Sequence, residues 1–337
     1  MTTRTNRTLV PRTFETSRML SRVASSVYWI SRYVERAENL ARFIDVTFSF
    51  ILDSPSNVRE QWQPLISTTA DDAIFEERYG TASRENAIRF LAFDSQYHNS
   101  ILSCLRIARE NARSIREAIS TEMWEQLNSF YHSLMAATRH PGILDSPQDF
   151  CQEVRSASQL FKGVTDATMS HGEGWHFARL GRMLERADKT SRILDVKYYM
   201  LLPTISDVGT PTDDLQWSAV LRSVSGFEMF RKRHGIITPH RIVGFLVLDR
   251  LFPRAIMHCI DSANQSLHAI VGSPEDTFWN PAEKELGQLR SALAYSDTNE
   301  ILRHGLHEFL DSLQVRINQV GDAIFQTFFA VETDNPS

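Results

Sequence analysis

Two segments of this chain repeat one pattern of arginines and carboxylates. Residues 32–46 read RYVERAENLARFIDV and residues 182–196 read RMLERADKTSRILDV. The charged positions that they share are Arg32, Glu35, Arg36, Arg42 and Asp45 in the first segment and Arg182, Glu185, Arg186, Arg192 and Asp195 in the second. Converging arginines can hold a carboxylate or a phosphate by forked hydrogen bonds, and a neighbouring glutamate can act as an acid or base. The pattern therefore indicates a charge cluster but does not specify a reaction.

On a helix, the apolar residues of each segment form one core-facing stripe, and the charges lie on the opposite face. Phe43 and Val46 interrupt that charged face in the first segment, and Ile193 and Val196 interrupt it in the second. A solvent-exposed face does not need large apolar side chains among its charges. We therefore expect this second face to be buried as well, or to form an interface.

A first interpretation of the charges is a set of pairs on the helix surface. Glu38 and Arg42 have the i,i+4 spacing, as do Asp188 and Arg192. Such pairs stabilise a helix by roughly 0.2–0.5 kcal/mol each.

A second interpretation places the charges in the interior, where Glu35 pairs with Arg186 and Glu185 pairs with Arg36 across a pseudo-dyad. Removing one partner of such a buried pair costs about 3–5 kcal/mol. In a third interpretation, the arginines line a binding or catalytic pocket for an anion, with Glu35 or Glu185 as the acid or base.

A further set of arginines lies in RIARENARSIRE, residues 106–117. Arg106, Arg109, Arg113 and Arg116 are spaced three or four apart, which puts them on one stripe of a helix. The stripe fits an ordinary solvated face. It also fits a surface that docks an acidic partner or an anionic peptide tail by charge complementarity.

Metal and cofactor motifs give no positive signal. Glu173 and His176 have the Glu-x-x-His spacing of di-iron bundles, but the second copy that such a site needs does not occur. The sequence has no glycine-rich phosphate loop and no nucleophile elbow. We therefore predict no metal and no cofactor, and we expect any ATP chemistry to belong to a partner.

The repeated pattern extends beyond one helix. Residues 90–108 (FLAFDSQYHNSILSCLRIA) align with residues 245–263 (FLVLDRLFPRAIMHCIDSA), and a fainter echo relates Val164 to Val320. Echoes in the same order at nearly constant spacing predict two sequence-related halves with a pseudo-twofold arrangement. We predict a single domain over residues 19–331, with repeat one at 19–170 and repeat two at 171–331. Residues 1–18 are expected to be a flexible arm, and residues 332–337 a tail.

The fold class that these elements predict is all-α, a large multi-helix bundle. Long stretches lack proline, strand-like alternation is rare, and short Gly/Pro/Ser/Asp clusters punctuate the chain. Helices are predicted near residues 20–52, 57–67, 83–92, 97–119, 121–138, 147–170, 173–201, 212–231, 239–249, 253–271, 281–295 and 298–330.

Composition sets the class of protein. The chain has 337 residues, 42% hydrophobic and 23% charged, which is typical of a soluble globular protein. Its net charge of −5 argues against a general nucleic-acid binder. The longest apolar run, residues 242–248, is too short for a membrane span, and the N-terminus lacks the apolar stretch of a secretory signal. The three cysteines have no metal-ligand spacing. We expect a cytoplasmic protein with no membrane and no nucleic-acid partner.

The segments YWISRYVERAENLARFIDV and GWHFARLGRMLERADKTSRILDV resemble the alpha-E family, a bacterial all-helical domain named for its E-R motif. Residues 100–117, 163–169 and 245–256 resemble further segments of that family, so the similarity covers about 19–331. The resemblance implies an all-α fold. It also implies an ATP-grasp-type ligase-like protein, and with it a transglutaminase-like protein, as partners in peptide ligation or modification. His176 departs from the family, which usually has arginine there.

Three hypotheses of function follow. The first is a non-catalytic helical subunit or adaptor that docks an ATP-grasp-type partner or an anionic peptide through arginine-rich helix faces. The second is an enzyme with a Glu/Arg anion-binding cleft acting on a peptide or carboxylate substrate. The third is a homo-oligomeric structural protein.

Overall fold

The computed structural model describes residues 19–53, 62–139, 142–144, 146–200 and 211–330. The predicted arm at 1–18 and the predicted tail at 332–337 lie outside these residues. The α-helices are α1 (Ser21–Asp53), α2 (Gln63–Ser67), α3 (Asp72–Tyr79), α4 (Arg84–Ile88), α5 (Ile101–Ser114), α6 (Thr121–Ala137), α7 (Gln148–Thr168), α8 (Glu173–Met200), α9 (Pro211–Ser223), α10 (Phe227–His234), α11 (Pro239–Val243), α12 (Ile256–Val271), α13 (Pro281–Ala294), α14 (Thr298–His304) and α15 (Leu306–Ile324). The all-α prediction is confirmed, because no strand occurs in the described ranges.

Two predicted helices are each divided in two. The prediction of one helix over 212–231 is wrong because Ser225 adopts a φ of 55° and Gly226 separates α9 from α10. The prediction of one helix over 298–330 is wrong because Gly305, with a φ of 107°, separates α14 from α15. A positive φ is incompatible with a continuing right-handed helix.

Three π-helical turns continue helices that the sequence predicts as regular. They follow α4, α11 and α15 and span Arg89–Phe93, Gly244–Leu248 and Phe325–Phe329. Helix α3, by contrast, was not predicted at all. It buries a single residue, Phe75, so it has no apolar stripe from which to predict it.

The long helices α1 and α8 pack directly against each other. Helices α5 and α7 also contact α1, whereas α12 and α15 contact α8. The approach of α1 to α8 is close at Gly181, where a methyl group would lie 2.5 Å from the carbonyl oxygen of Tyr28. This packing turns the charged faces of α1 and α8 toward the inside of the molecule.

Two short helical units flank this pair. In the first, Phe90 stacks on Tyr97 with ring centroids 3.9 Å apart; in the second, Phe245 stacks on Phe252 at 4.5 Å. Each unit turns at an aspartate. Asp94 accepts hydrogen bonds from the backbone N–H groups two and three residues later, and Asp249 does the same.

Candidate functional site

The centre of the candidate site is a reciprocal pair of ion pairs between α1 and α8. The Nε and Nη2 atoms of Arg186 donate to the two carboxylate oxygens of Glu35 at 3.0 and 2.9 Å. The Nε and Nη2 atoms of Arg36 donate to those of Glu185 at 2.7 and 3.1 Å. Both glutamates are fully buried. The structure thus has the two cross-helix pairs of the interior interpretation.

Glu38 extends the cluster on one side. Arg42 donates to it from Nε and Nη2 at 3.0 and 2.7 Å, and Arg254 and Lys162 form ion pairs with it. Lys162 also lies 2.7 Å from Glu35. Since Glu38 and Arg42 are 0% and 1% exposed, the surface interpretation of this i,i+4 pair is wrong.

Asp188 extends the cluster on the other side. Lys189 donates to Asp188 at 2.8 Å and Arg192 donates to it at 3.2 Å. Arg32 donates from Nε to Glu185 at 2.8 Å, so Glu185 is shared by two arginines. Arg192 also donates to a backbone carbonyl of the loop after α2, which ties α8 to that loop.

The cluster contains twice as many cations as carboxylates. Its carboxylates are Glu35, Glu38, Glu185 and Asp188, and its cations are Arg32, Arg36, Arg42, Lys162, Arg186, Lys189, Arg192 and Arg254. Within the described residues, these cations have no other carboxylate within 4.0 Å. The site therefore carries an excess of buried positive charge.

This excess sets the protonation of the cluster. Burial disfavours the charged form of each carboxylate, but the surrounding cations outweigh it. They lower the pKa of Glu38 to about 2 and hold the pKa values of Glu35 and Glu185 well below the usual range. Burial lowers the pKa of Lys162 to about 8 and that of Arg42 to about 10. The glutamates are thus ionised and engaged in ion pairs at neutral pH, which does not suit an acid or base catalyst.

Two predicted site residues lie away from this centre. Asp45 accepts a hydrogen bond from Nη1 of Arg155 on α7 at 2.7 Å. Asp195 shares a hydrogen bond of 2.7 Å with Nδ1 of His307 on α15. These carboxylates attach the C-terminal parts of α1 and α8 to their neighbours.

Arg182 also lies outside the shared network, although it occupies the position in α8 that Arg32 occupies in α1. Its counterion is Asp166 of α7, 3.5 Å from Nη2. Its Nε is buried and has no hydrogen-bond partner in the structure. The positive charge of Arg182 is thus balanced by Asp166, a carboxylate outside the cluster.

The second arginine set is only partly a free surface. Arg109 lies over the rings of Tyr131 and Trp124 at 5.2 and 5.6 Å and donates to Asn128 at 2.8 Å, so it belongs to the packing of α5 on α6. The exposed members are Arg106, Arg113 and Arg116.

The prediction of one continuous helical stripe is wrong at Arg116. Helix α5 ends at Ser114, and Arg116 lies in a short 3-10 turn that follows. The chain leaves the helix at Ile115, which has a φ of −131° and is fully buried. A φ this far from the helical value ends the regular turns of α5, so Arg116 no longer follows the stripe.

Five residues of the cluster are not among the predicted site residues. One of them, Lys189, lies four positions after Glu185 on α8. Glu38 and Asp188 lie three positions after Glu35 and Glu185, so helical spacing could have placed them on the same face. Lys162 and Arg254 come from distant helices and loops and have no local signal in the sequence.

The residues of the described part of the chain also bear on metal sites, membrane-spanning helices and reactive cysteines. No three His, Cys, Asp or Glu side chains there are grouped as metal ligands would be. None of the described helices combines the length and apolar character that a membrane span needs. The thiols of Cys104, Cys151 and Cys259 are buried and unpaired, and burial raises their pKa values.

Comparison with known proteins assigns a family to nearly all of the described chain. The family model of Alpha-E, a predicted alpha-helical domain with a conserved ER motif, matches residues 19–329. Uncharacterized proteins of Mycobacterium bovis and Mycobacterium tuberculosis are each 21% identical over 337 aligned positions, covering 92% of this chain and 37% of theirs. The chain therefore spans little more than a third of the length of these curated relatives. No solved structure is similar to it.

Proposed function

The chain belongs to the Alpha-E family, and on that premise we propose that it is a non-catalytic helical subunit or adaptor of an ATP-grasp-type peptide-ligation or peptide-modification system. The observation that carries this proposal is that Glu35 and Glu185 each form an ion pair with an arginine of the opposite helix. Both are buried and each is held by a bidentate arginine. The E-R motif, after which the family is named, therefore has a structural role in joining α1 to α8. In this proposal, the ligation chemistry belongs to a partner.

The partners are those that the resemblance implies, an ATP-grasp-type ligase-like protein and a transglutaminase-like protein. In the mycobacterial relatives, the region that matches this chain is part of a longer protein. This supports a domain that works together with other protein parts. A cytoplasmic location belongs to the same proposal.

The docking surface in this proposal is the exposed set Arg106, Arg113 and Arg116. The arginines of the two E-R motifs are excluded because none of them is exposed on the surface of the protein. Charge complementarity would orient an acidic partner on this end of α5.

Affinity purification of the tagged chain from its native host, with and without ATP, tests the proposal. We expect stoichiometric recovery of a ligase-like protein and its loss when Arg106, Arg113 and Arg116 are all changed to Glu. The control carries the same change of charge at three other exposed arginines, Arg89, Arg139 and Arg303. Recovery of the chain alone would contradict the subunit proposal.

We also propose that the two halves arose by duplication and pack about a pseudo-twofold axis. The reciprocal pairs at the centre support this arrangement. So do the aspartate turns, where Arg78 pairs with Asp94 and Arg233 pairs with Asp249. Asp94→Asn and Asp249→Asn should therefore destabilise the protein by similar amounts, about 1 kcal/mol each. A large effect of only one of them in chemical unfolding would contradict the equivalence.

Homo-oligomer formation is the second candidate because one specific observation favours it. Glu76 and Glu77 on α3 and Arg231 and Lys232 on α10 are all exposed. The two helices occupy matching places beside Phe90 and Phe245. Their faces thus have opposite charge and could bind each other in separate copies.

An enzyme that uses Glu35 or Glu185 as its acid or base is the less supported alternative. A general base must be able to take up a proton near neutral pH, and the surrounding cations hold the pKa values of both groups well below that range.

A further inference from the structure

A cavity of about 350 Å³ opens beside the buried charge cluster. It lies between α1 and the end of α15 with its π-helical turn. Arg32 and Arg36 form its polar wall, and Trp29, Phe325 and Phe329 form its aromatic wall. This size is at the lower end of small-molecule sites, where a single amino-acid residue or a compound of that size fits.

Arg32 presents unused hydrogen-bond donors to this cavity. Its Nε donates to Glu185 at 2.8 Å and its Nη1 donates to the hydroxyl of Tyr28 at 3.0 Å. A guanidinium has more N–H donors than these two bonds use. The group is held in place because it also lies over the rings of Tyr28 and Trp29, at 5.6 and 5.1 Å. The side chain is 13% exposed, so its free donors face the cavity from a largely desolvated position.

The charge beside the cavity is unbalanced. Glu185 supplies one carboxylate for the two guanidiniums of Arg32 and Arg36. Lys189 also approaches Glu185, at 3.7 Å. A monoanion would give these guanidiniums a second carboxylate within bonding distance. Asp322 also lines the cavity, beyond 4.0 Å of both arginines, and it repels a dianion more strongly than a monoanion, so the site favours a carboxylate over a phosphate.

Arg182 is the counterpart of Arg32 in the second repeat, and it has a counterion of its own. It has the same position in α8 as Arg32 has in α1, and it meets the carboxylate of Asp166 at 3.5 Å. Among the described residues, Arg32 has only the shared carboxylate of Glu185 within 4.0 Å. Asp322, which follows Val320 as Asp166 follows Val164, lines the same cavity but has no atom pair with Arg32 within 4.0 Å. It therefore leaves the remaining donors of Arg32 unbound.

We propose that this cavity binds the carboxylate of a ligand that carries an aromatic or large apolar side group. Arg32 would hold the carboxylate, and Trp29, Phe325 and Phe329 would surround the side group. Phe325 is 48% exposed, and such a ligand would cover it. The ligand chemistry is shared by the C-terminal residue of a peptide and by a free amino acid. The inference goes beyond the subunit proposal and holds for the isolated chain.

Isothermal titration of the purified full chain with N-acetylphenylalanine tests the proposal. We expect a Kd in the range of ~0.1–1 mM, in line with a probe of this size. N-acetylphenylalanine amide, which lacks the charge, should bind at least ~10-fold more weakly. Free phenylalanine distinguishes the two sources, since a site for peptide ends should prefer the N-acetylated probe and a site for free amino acids should prefer the unblocked one.

The variant Arg32→Gln should lose at least ~10-fold in affinity for N-acetylphenylalanine. Its fold should persist because Arg36 still makes two hydrogen bonds to Glu185. Arg182→Gln is the matched control and should bind the probe normally. Phe325→Ala, at a half-exposed position, is a second test that does not depend on the cluster, and it should also weaken binding.

Three results would overturn the proposal. They are no heat of binding up to ~10 mM probe, equal affinity for the acid and its amide, and affinity unaffected by both Arg32→Gln and Phe325→Ala. Because no partner protein is present in these titrations, their outcome is independent of whether a ligase-like protein is captured.

Discussion

At the scale of single residues, the E-R motif is a means of burying charge. Glu35 and Glu185 lie in the interior, where an unpaired carboxylate would be very costly. Each is accommodated by a forked arginine from the opposite helix and by further cations. The arrangement also makes the two helices depend on each other. Among the described residues, removing Glu35 leaves Arg186 without a carboxylate within 4.0 Å, and removing Glu185 does the same to Arg32 and Arg36.

Glu35→Gln should therefore destabilise the protein by about 3–5 kcal/mol. Glutamine has nearly the same shape but cannot neutralise Arg186, Lys162 and Arg254, which all face Glu35. Urea unfolding followed by circular dichroism measures the change.

The control is Glu85→Gln in the exposed pair with Arg89, whose side chains are 60% and 52% exposed. It should cost less than about 1 kcal/mol. Equal losses of stability in the two variants would show that burial of the charge cluster does not determine how much it contributes to the free energy of unfolding.

The pKa of Glu38 leads to a prediction for acid stability. The pKa of Glu38 is about 2 in the folded protein, whereas an unperturbed glutamate, as in the unfolded chain, has a pKa of 4.5. The unfolded chain therefore takes up the proton first as the pH falls. The stabilisation is complete above pH 4.5 and is lost as the pH falls toward 2; for this group it is on the order of 3 kcal/mol. Urea midpoints measured across this window should fall steeply.

Glu38→Gln should start from a lower stability at neutral pH and lose less on acidification, since one titrating group is gone. A variant whose acid loss matched that of the unchanged protein would remove Glu38 from the explanation.

At the scale of elements, the packing of α1 on α8 requires a small residue at the crossing. Gly181 of α8 meets the backbone and ring of Tyr28 on α1, and a methyl group there would be 2.5 Å from the carbonyl oxygen and 3.0 Å from a ring carbon. Backbone atoms cannot move aside as a flexible side chain can. The crossing therefore sets the distance at which the ion pairs form.

Gly181→Ala should destabilise the protein by about 1–3 kcal/mol through overpacking. Gly163→Ala in α7 is the matched control, because a methyl group there meets no atom within 4 Å. It should stabilise the helix by roughly 0.5–1 kcal/mol. Thermal unfolding of both variants decides the matter, and a neutral Gly181→Ala would mean that the helices can separate at this point without loss.

The elements also show what could be predicted from sequence. Long amphipathic helices such as α8 follow from apolar periodicity, and repeated charges point to partners on the opposite helix. The break at Ile115 could not be predicted, because no glycine or proline marks it in residues 101–119. Arg254 could not be assigned to the cluster either, since only folding brings it to Glu38 and Asn39.

At the scale of the whole molecule, charge is unevenly distributed although the net value is only −5. The exposed side of α3 carries Glu76 and Glu77, and the matching side of α10 carries Arg231 and Lys232. Neither face can bind the same face of another copy, because like charges would meet. A contact between α3 of one copy and α10 of another joins unlike charges. It gives a twofold dimer where the reverse contact forms at the same time, and otherwise a ring or an open chain of copies.

Such a contact should appear as association that weakens with salt. In sedimentation velocity, we expect oligomers at ~20 mM salt and monomers at ~500 mM, since exposed charges are screened over a few ångströms at high ionic strength.

The double variant Arg231→Glu with Lys232→Glu should be monomeric at low salt, as should Glu76→Lys with Glu77→Lys. Mixing these two variants should restore association into mixed oligomers. The first variant has two acidic faces, and the second has two basic faces that can bind them. Arg139→Glu with Arg303→Glu, which changes the charge elsewhere on the surface, should leave the association intact. Monomers at low salt in the unchanged protein would contradict the homo-oligomer, and association that survived both double variants would place the interface on another face.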